Sequence, residues 1–419
     1  MPLKADFLIE DADLIATCAG PAPRRGLAQR EISPLRDGVI AAFEGRIIYV
    51  GETPLLSDTV DVQKDATRID ARGCTVVPGF VDAHTHLVHA GDRRSELQRR
   101  LAGETYAAIA AEGGGIARTV TATRAASDDQ LVAESRVHLD EMLACGTTTC
   151  EVKSGYGLTV ESELRQLHAV RMLDEAHPVD LVPTFMGAHD IPAEYQARRG
   201  QYVEMVIDEM LPRVADEGLA EFCDVFCAAS AFSAEESIAI LEAGRRAGLM
   251  PRVHADELAA SGGSSVAARV QARSADHLIF VDERSADALA DAGVCATLLP
   301  AAAFYLKIGR FAPARMLIER GVAVALGTDV NPGAGLSPSM PFAVALACFG
   351  MSMTLEESLI AATLNAAWSV NRAAQAGSLE PGKLMDAVIV NGDLAELVRV
   401  GAPAIRTVIK RGRVMSWRQ

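Results

Sequence analysis

The chain has 419 residues, of which 49% are hydrophobic and 23% are charged, and its net charge at pH 7 is −15. This length allows one large domain and a smaller one, and the composition is that of a globular protein. The negative charge argues against nucleic acids and anionic membrane surfaces as partners. No apolar run approaches the ~20 residues that a membrane span requires.

The eight cysteines are scattered among apolar neighbours, and none of them forms a Cys-x-x-Cys pair. In a chain of this length such cysteines are expected to be reduced, buried thiols. The first residues contain no basic segment followed by an apolar core, so no signal peptide is predicted. These features predict a cytoplasmic protein.

Both ends of the chain are predicted to consist of short strands. Apolar runs bounded by turn residues lie at 7–9, 38–43, 46–50, 386–390 and 405–409. The segment from Pro21 to Pro34 is predicted to be a loop. Because both ends share this character, we expect residues 1–75 and 376–419 to form one smaller β-sandwich domain.

Residues 76–375 show a different pattern, in which apolar runs alternate with amphipathic helices. The runs predicted to be strands lie at 147–152, 181–187, 223–226, 251–254, 276–281, 294–298 and 322–327. Capping-box patterns at Ser127, Ser233 and Thr354 mark three helix starts. With a strand that ends near His84, the alternation predicts an α/β fold, a (β/α)8 TIM barrel. A doubly wound sheet is the competing fold, but no Gly-x-Gly-x-x-Gly follows a strand.

An apolar run through Val76, Val77, Phe80 and Val81 is interrupted by Gly79 and leads into two histidines. His84 and His86 are two residues apart, so on an extended backbone both side chains point to one face. Two imidazoles on one face can bind one divalent ion. Two surface histidines at a strand end would give the same pattern by chance.

Polar residues also follow most of the later strands of the barrel. In TIM barrels the active site lies at these carboxyl ends of the strands. Five of the nine histidines fall there, which isolated structural histidines do not readily explain. The strand-end residues are His84, His86, Glu151, Lys153, Tyr156, His189, Asp190, His254, Glu257, His277, Asp329 and Asn331.

Three of these histidines and one aspartate form a plausible ligand set of three nitrogens and one oxygen: His84, His86, His254 and Asp329. Such donors suit zinc or iron(II), and the absence of thiolates disfavours a structural zinc site. A bound metal would lower the pKa of its water toward 7. Glu257 could then manage protons, and His277 could orient a substrate oxygen or polarise a carbonyl.

Together these motifs resemble the amidohydrolase superfamily of metal-dependent hydrolases. The segments that carry the resemblance are 78–88, 151–158, 187–189, 254–257, 274–277 and 328–333. Over nearly the whole chain, the resemblance is to the members that open the imidazolone ring in histidine degradation. It implies hydrolysis of 4-imidazolone-5-propionate to N-formimino-L-glutamate, with metal-activated water attacking the lactam carbonyl.

The resemblance also implies roles for particular residues. It implies one Zn²⁺ or Fe²⁺/Fe³⁺ per chain, held by His84, His86, His254 and Asp329. It implies a catalytic part for Glu257, His277 and Asp329. The small-molecule substrate or product would contact Arg93, Tyr106, Tyr156, His189, Asn331, Gly333 and the residue at 334. Members of the family are commonly homodimers.

Several positions depart from the family. Ala334 stands where a Ser or Thr is common, Ala228 follows Cys227 where a Glu is frequent, and His89 replaces an aromatic residue. The fourth strand lacks the lysine that bridges two metals in binuclear members, which favours a single ion. Lys153, on the second strand, is interpreted as structural.

Two other functions compete. His254-x-x-Glu257 also suits a deaminase of the same superfamily, but a neutral base would not require the carboxylate-binding group of Arg93, Tyr106 and Tyr156. A barrel that only binds or scaffolds is the second alternative. Such relatives usually lose metal ligands, whereas all four are present here.

Overall fold

A computed structural model describes residues 3–105, 108–109 and 112–415. Eight parallel strands form one sheet in which neighbours follow chain order. The first to eighth barrel strands are Phe80–Asp82, Thr147–Lys153, Asp180–Ala188, Phe222–Cys227, Met250–Ala255, Ser274–His277, Cys295–Leu298 and Val324–Leu326. The predicted TIM barrel is confirmed, and each predicted strand run overlaps an observed strand.

Helices follow most of the barrel strands. The α-helices are Leu56–Thr59, Arg94–Leu101, Ile116–Ala125, Asp128–Ala144, Val160–Ala176, Arg199–Met205, Leu211–Asp216, Ala234–Arg246, Gly263–Arg269, Glu283–Ala292, Pro300–Tyr305, Ala314–Glu319, Met340–Gly350, Leu355–Ala362 and Leu364–Ser369, with a π-turn at Val206–Met210. Shorter 3₁₀ turns lie at Gly26–Arg30, Thr53–Leu55, Ala193–Arg198 and Leu394–Val398. Ser233 and Thr354 form the predicted capping boxes, and Ser127 caps its helix by accepting a hydrogen bond from the Gln130 N–H.

Strands from both ends of the chain build two further sheets. A four-stranded sheet contains, in spatial order, Arg46–Glu52, Gly38–Phe43, Leu3–Ala12 and Val60–Asp70. A six-stranded sheet contains Arg413–Met415, Ile405–Lys410, Ala387–Asn391, Cys74–Pro78, Leu14–Ala16 and Pro34–Leu35. Phe7, Ile40, Val76 and Ile389 pack in one buried cluster between them. The two ends therefore share a small β-unit, while the domain limits at 75 and 376 stay predictions.

The apolar run before His84 is not one strand. Cys74–Pro78 pairs antiparallel with Ala387–Asn391 in the six-stranded sheet, whereas Phe80–Asp82 pairs with the second barrel strand. The chain crosses from one unit to the other at Gly79. A Cβ at Gly79 would lie 2.3 Å from Thr148 Oγ1, so the crossing requires a residue without a side chain.

The first and eighth barrel strands are joined by a short set of hydrogen bonds. The Asp329 N–H donates to His84 O at 3.0 Å, and the His86 N–H donates to Val330 O at 2.8 Å. The Thr328 N–H donates to Asp82 Oδ1 at 2.9 Å. This join closes the barrel and brings the predicted ligands of the two strands together.

None of the helices in the described part of the chain combines the length and the apolar character that a membrane span requires.

The close packing at Gly79 leads to a stability prediction. Gly79→Ala should lower the free energy of unfolding by about 1–3 kcal/mol, because the new methyl group overlaps the buried Thr148 side chain. Chemical denaturation followed by circular dichroism measures this change. Gly200→Ala is the matched control, since its Cβ meets open space in an exposed helix, where alanine should be neutral or stabilising. Adding Thr148→Ala to Gly79→Ala should recover part of the loss; no recovery would contradict the steric explanation.

Candidate metal centre and active-site cavity

All four predicted metal ligands meet at the carboxyl end of the barrel, and all are buried. His86 Nε2 lies 3.2 Å from His254 Nε2, and Asp329 Oδ1 lies 3.6 Å from His84 Nε2 and 3.8 Å from His86 Nε2. His277 joins this group, because its ligand atom lies within 4.8 Å of those of His84 and His254. The structure thus brings five potential donors to one point.

The donor set fits a divalent cation. His84 Nε2 and Asp329 Oδ1 are buried without a hydrogen-bond partner among the described residues, and such atoms are costly to leave unpaired. The facing Nε2 atoms of His86 and His254 cannot both carry protons at their short separation. A cation between these atoms would satisfy all of them, and imidazole with carboxylate is a donor combination suited to zinc or iron.

Two aspartates that the sequence analysis did not select orient the ligand histidines from behind. Asp276 Oδ2 accepts a hydrogen bond from His84 Nδ1 at 2.7 Å, and Asp224 Oδ2 lies 3.1 Å from His254 Nδ1 in a close contact without hydrogen-bond geometry. A carboxylate at Nδ1 keeps the proton there and leaves Nε2 as the metal-binding lone pair. Asp224 lies inside its strand, where the strand-end criterion does not apply, and Asp276 lies beside His277, to which alone a role was assigned.

The pKa values of His84, His86 and Asp224 favour the protonation states that metal binding requires. Burial lowers the pKa of His84 and of His86 well below the ordinary histidine value, so both rings are neutral at pH 7. Burial alone would raise the pKa of Asp224, but the Lys153 ammonium and His254 outweigh burial and lower it. Neutral imidazoles backed by a carboxylate anion are the form that binds a metal.

The backbone at two of these residues adopts a conformation that non-glycine residues rarely use. Asp329 has φ of 55° and His277 has φ of 73°, in the left-handed region. Such conformations persist where the surrounding structure imposes them, and they are concentrated at functional sites. Here they turn both side chains toward the cavity at the ends of the eighth and sixth strands.

A cavity opens above the donor cluster. Most of the predicted site residues line it: His86, Arg93, Tyr156, His189, His254, Glu257, His277, Asp329, Asn331 and Ala334, together with the apolar Ile116, Phe226, Leu258 and Leu306. His84 is fully buried below the cavity. Tyr106 lies outside the described residues, so its predicted contact stays a prediction.

Arg93 is held so that part of its guanidinium can face a ligand. The side chain is buried, and its Nε donates to Thr119 Oγ1 at 2.9 Å. Gly333 packs directly against it, since a Cβ there would lie 2.4 Å from Arg93 Nη1. Among the described residues none accepts a hydrogen bond from the two terminal nitrogens, which form the fork that can bind a carboxylate.

His189 presents a lone pair to the cavity. Its Nδ1 donates to Gly155 O at 2.9 Å, and its ring stacks on His86 with centroids 4.7 Å apart. Burial lowers the pKa of His189 to about 3, so the ring is neutral and Nε2 acts as an acceptor. Tyr156 is buried beside both rings, 5.7 Å from His86 and 5.2 Å from His189.

Glu257 is the most exposed of the acidic groups at the site, with 11% of its side chain accessible. Its Oε1 lies 3.7 Å from His277 Nδ1. A carboxylate between cavity and solvent, next to a histidine, is suited to moving protons. The catalytic parts of Glu257 and His277 stay predictions.

Asn331 organises the loop that follows Asp329. Its Nδ2 donates to Asp329 O at 2.7 Å, and its Oδ1 accepts from the N–H groups of Gly333 and Ala334 at 2.8 and 2.7 Å. Gly333 O accepts a hydrogen bond from Arg100 Nη2 at 2.6 Å. The predicted product contacts of these residues stay predictions, because the loop itself uses these polar atoms.

The family model of the amidohydrolase family matches residues 75–415. Imidazolonepropionase of Alkaliphilus metalliredigens is 45% identical over 416 residues, covering 99% of this chain and 98% of that protein. Imidazolonepropionase of Symbiobacterium thermophilum is 47% identical, covering 98% of this chain and 97% of that protein. These similarities extend over the sheets of both termini as well as the barrel.

Solved structures show the same fold at low sequence identity. A zinc-bound adenosine deaminase from Xanthomonas campestris superposes with a TM-score of 0.71 at 19% identity, covering 99% of this chain and 93% of that chain. A triazine hydrolase variant gives a TM-score of 0.72 at 18% identity, covering 97% and 94%. At these identities the likeness concerns the architecture alone.

The donor geometry predicts about one divalent ion per chain. His84→Ala and His254→Ala should each lower the metal content, because each removes one nitrogen of the proposed ligand set. Elemental analysis of purified protein by mass spectrometry measures the stoichiometry. His168→Ala is the control, since His168 is exposed and distant in the sequence from the predicted ligands. A stoichiometry near two would rule out a single-ion centre.

Proposed function

This chain belongs to the amidohydrolase family and, within it, to the imidazolonepropionases, and on that premise we propose that it opens the ring of 4-imidazolone-5-propionate. The enzyme is a metal-dependent hydrolase of a cyclic C–N bond, and the product is N-formimino-L-glutamate. The observation that supports this proposal is that the candidate carboxylate-binding residue and the candidate metal ligands line one cavity. Arg93 lines the same cavity as His86, His254 and Asp329.

The proposed metal ligands are His84, His86, His254 and Asp329, and the ion is Zn²⁺ or iron. When bound there, such an ion supplies Lewis acidity, lowering the pKa of water toward 7 and polarising a carbonyl oxygen. The protein contributes the neutral imidazoles and the buried, water-excluding walls around them. Elemental analysis of the protein as isolated decides between zinc and iron.

The substrate is small and carries one carboxylate, which suits the cavity. The terminal nitrogens of Arg93 would bind the propionate as a bidentate pair. His189 Nε2 would accept a hydrogen bond from a ring N–H of the imidazolone, because the proton of this neutral histidine is on Nδ1. These two contacts, at different points of the cavity wall, would fix both the ring and its side chain.

The chemical step adds water to the ring carbonyl carbon and breaks its bond to the ring nitrogen. The carbonyl carbon becomes the new carboxylate, and the nitrogen leaves with an added proton. Asp329 accepts the proton from water. Glu257 carries this proton from Asp329 to the leaving nitrogen, and His277 stabilises the oxygen on which negative charge develops.

A direct assay tests the proposal. Purified protein mixed with freshly prepared imidazolone propionate should remove the ultraviolet absorbance of the ring, with N-formimino-glutamate as the product by mass spectrometry. Release of ammonia from heterocyclic amines, without loss of that absorbance, would instead support the competing deaminase. The cytoplasmic location and the homodimer stay predictions, and light scattering of the purified protein checks the latter.

Arg93→Met provides the first functional prediction. Loss of a buried, charge-assisted contact costs about 2–5 kcal/mol, and at about 1.4 kcal/mol per decade kcat/KM should fall roughly 30-fold to several thousand-fold. Arg93→Lys should restore only part of this, because an ammonium group lacks the planar fork. Arg94→Met, at the exposed neighbouring arginine, is the control. A kcat/KM within about threefold of the parent would exclude the anchoring role.

Glu257→Gln should behave differently from Arg93→Met. It removes a proton carrier while preserving side-chain size, so kcat should fall about 10²- to 10⁴-fold with little change in KM. Metal content should stay at the parent value, because Glu257 is not a proposed ligand. Steady-state kinetics with parallel elemental analysis measures both quantities. A large rise in KM at unchanged kcat would show a binding role instead.

A further inference from the structure

Below the donor cluster lies a group of five charged side chains that no step of the proposed mechanism uses. We call it the buried ion cluster: Glu151, Lys153, Asp224, Arg252 and Asp276. All five are fully buried, and they come from the second, fourth, fifth and sixth barrel strands. Buried ion pairs rarely add stability compared with apolar packing, so their presence beneath a candidate active site calls for another explanation.

Each of the two cations in the buried ion cluster contacts a carboxylate. In both cases the contacted oxygen is the one that faces a ligand histidine. Lys153 Nζ lies 2.7 Å from Asp224 Oδ2, the oxygen near His254 Nδ1. Arg252 Nη2 lies 3.1 Å from Asp276 Oδ2, the oxygen that faces His84 Nδ1. The same chain of contacts therefore occurs twice: a cation contacts a carboxylate, the carboxylate faces Nδ1 of an imidazole, and that imidazole belongs to the donor cluster.

Lys153 also ties the two arrangements together. Its Nζ lies 2.7 Å from Glu151 Oε1 and 3.7 Å from Asp276 Oδ2, in addition to its contact with Asp224. Glu151 Oε2 in turn accepts a hydrogen bond from the Thr85 N–H, between His84 and His86. The Lys153 ammonium thus contacts Asp224, which supports His254. It also contacts Glu151 and Asp276, which support the ligands that follow the first strand.

We propose that Lys153 is a positioning residue that acts through Asp224 to hold His254 in its metal-binding orientation. The inference rests on the metal centre of the proposed function. The ammonium fixes the rotamer of the Asp224 carboxylate, and the carboxylate fixes the plane and the tautomer of the imidazole. The earlier interpretation of Lys153 as merely structural is thereby replaced by a role at the metal site.

The test uses the affinity of the metal-free protein for Zn²⁺, measured by competition with a chromophoric chelator. Lys153→Met should weaken Zn²⁺ binding about 10- to 100-fold, the usual effect of losing a group that supports a metal ligand. Lys410→Met is the matched control. Lys410 is also buried, with Nζ 2.7 Å from both Asp180 and Asp386, and it lies in the six-stranded sheet. Its loss should lower thermal stability while leaving the Zn²⁺ affinity within about threefold of the parent.

A double-mutant cycle with Asp224→Asn separates action through Asp224 from general damage. If Lys153 acts through Asp224, the double variant should bind Zn²⁺ no more than about threefold more weakly than Asp224→Asn alone. Losses that multiply would overturn the proposal, and so would parental affinity in a folded Lys153→Met. Should Lys153→Met fail to fold, Lys153→Gln replaces it in the same cycle, because its amide can still hydrogen-bond to the buried carboxylates while the positive charge is removed.

The same experiment distinguishes this inference from the proposed function. A parent protein that binds no Zn²⁺ or Fe²⁺ would refute the metal centre itself. A parent that binds the ion with unchanged affinity in Lys153→Met refutes only the positioning role. Turnover of the imidazolone is not needed for either conclusion.

Discussion

The join between the first and eighth barrel strands is the constraint on which the active-site end depends. Asp82 receives the Thr328 N–H, and the backbones of His84 and Asp329 are hydrogen-bonded to each other. Burial raises the pKa of Asp82 to about 7, which shows how completely this join is removed from water. Three of the four proposed ligands lie within two residues of it, so closing the barrel and assembling the donor cluster are one event.

Charge bookkeeping around the cluster is consistent with a single divalent ion. Glu151, Asp224 and Asp276 carry three negative charges, while Lys153 and Arg252 carry two positive ones. Asp329 adds one more negative charge, and burial keeps the His84 and His86 imidazoles neutral. The remainder is two negative charges in a region shielded from water, where an unbalanced charge is expensive. One divalent cation neutralises it, whereas two would leave an excess of positive charge.

The sequence predicted the barrel and the meeting of His84, His86, His254 and Asp329 because both follow from local rules. Strands alternate with helices, and polar residues after parallel strands gather at one end. The supporting side chains were not predictable in this way. Asp224 lies between apolar residues of its own strand and Asp276 lies one residue before His277, and the histidines that they support come from other strands, so the local pattern does not identify them as supports.

Other differences have similarly specific causes. The run from Val76 to Val81 has uniform apolar character, and only the pairing partners show that Gly79 divides it between two sheets. Asn331 has the residue type of a ligand-binding group, but its amide is engaged by the backbone of its own loop. The sequence pattern shows which residues are polar and where they lie along a strand. It does not show which of their polar atoms form hydrogen bonds within the protein and are therefore not available to a ligand.

The pairing of Cys74–Pro78 with Ala387–Asn391 has a consequence for the order of events during synthesis. The strand that leads directly into the first barrel strand obtains one of its two neighbours from near the end of the chain. A ribosome must therefore make the whole barrel before this neighbour emerges, and contacts so distant in sequence form slowly. The strand next to the first barrel strand therefore completes its pairing only after all eight barrel strands have been made.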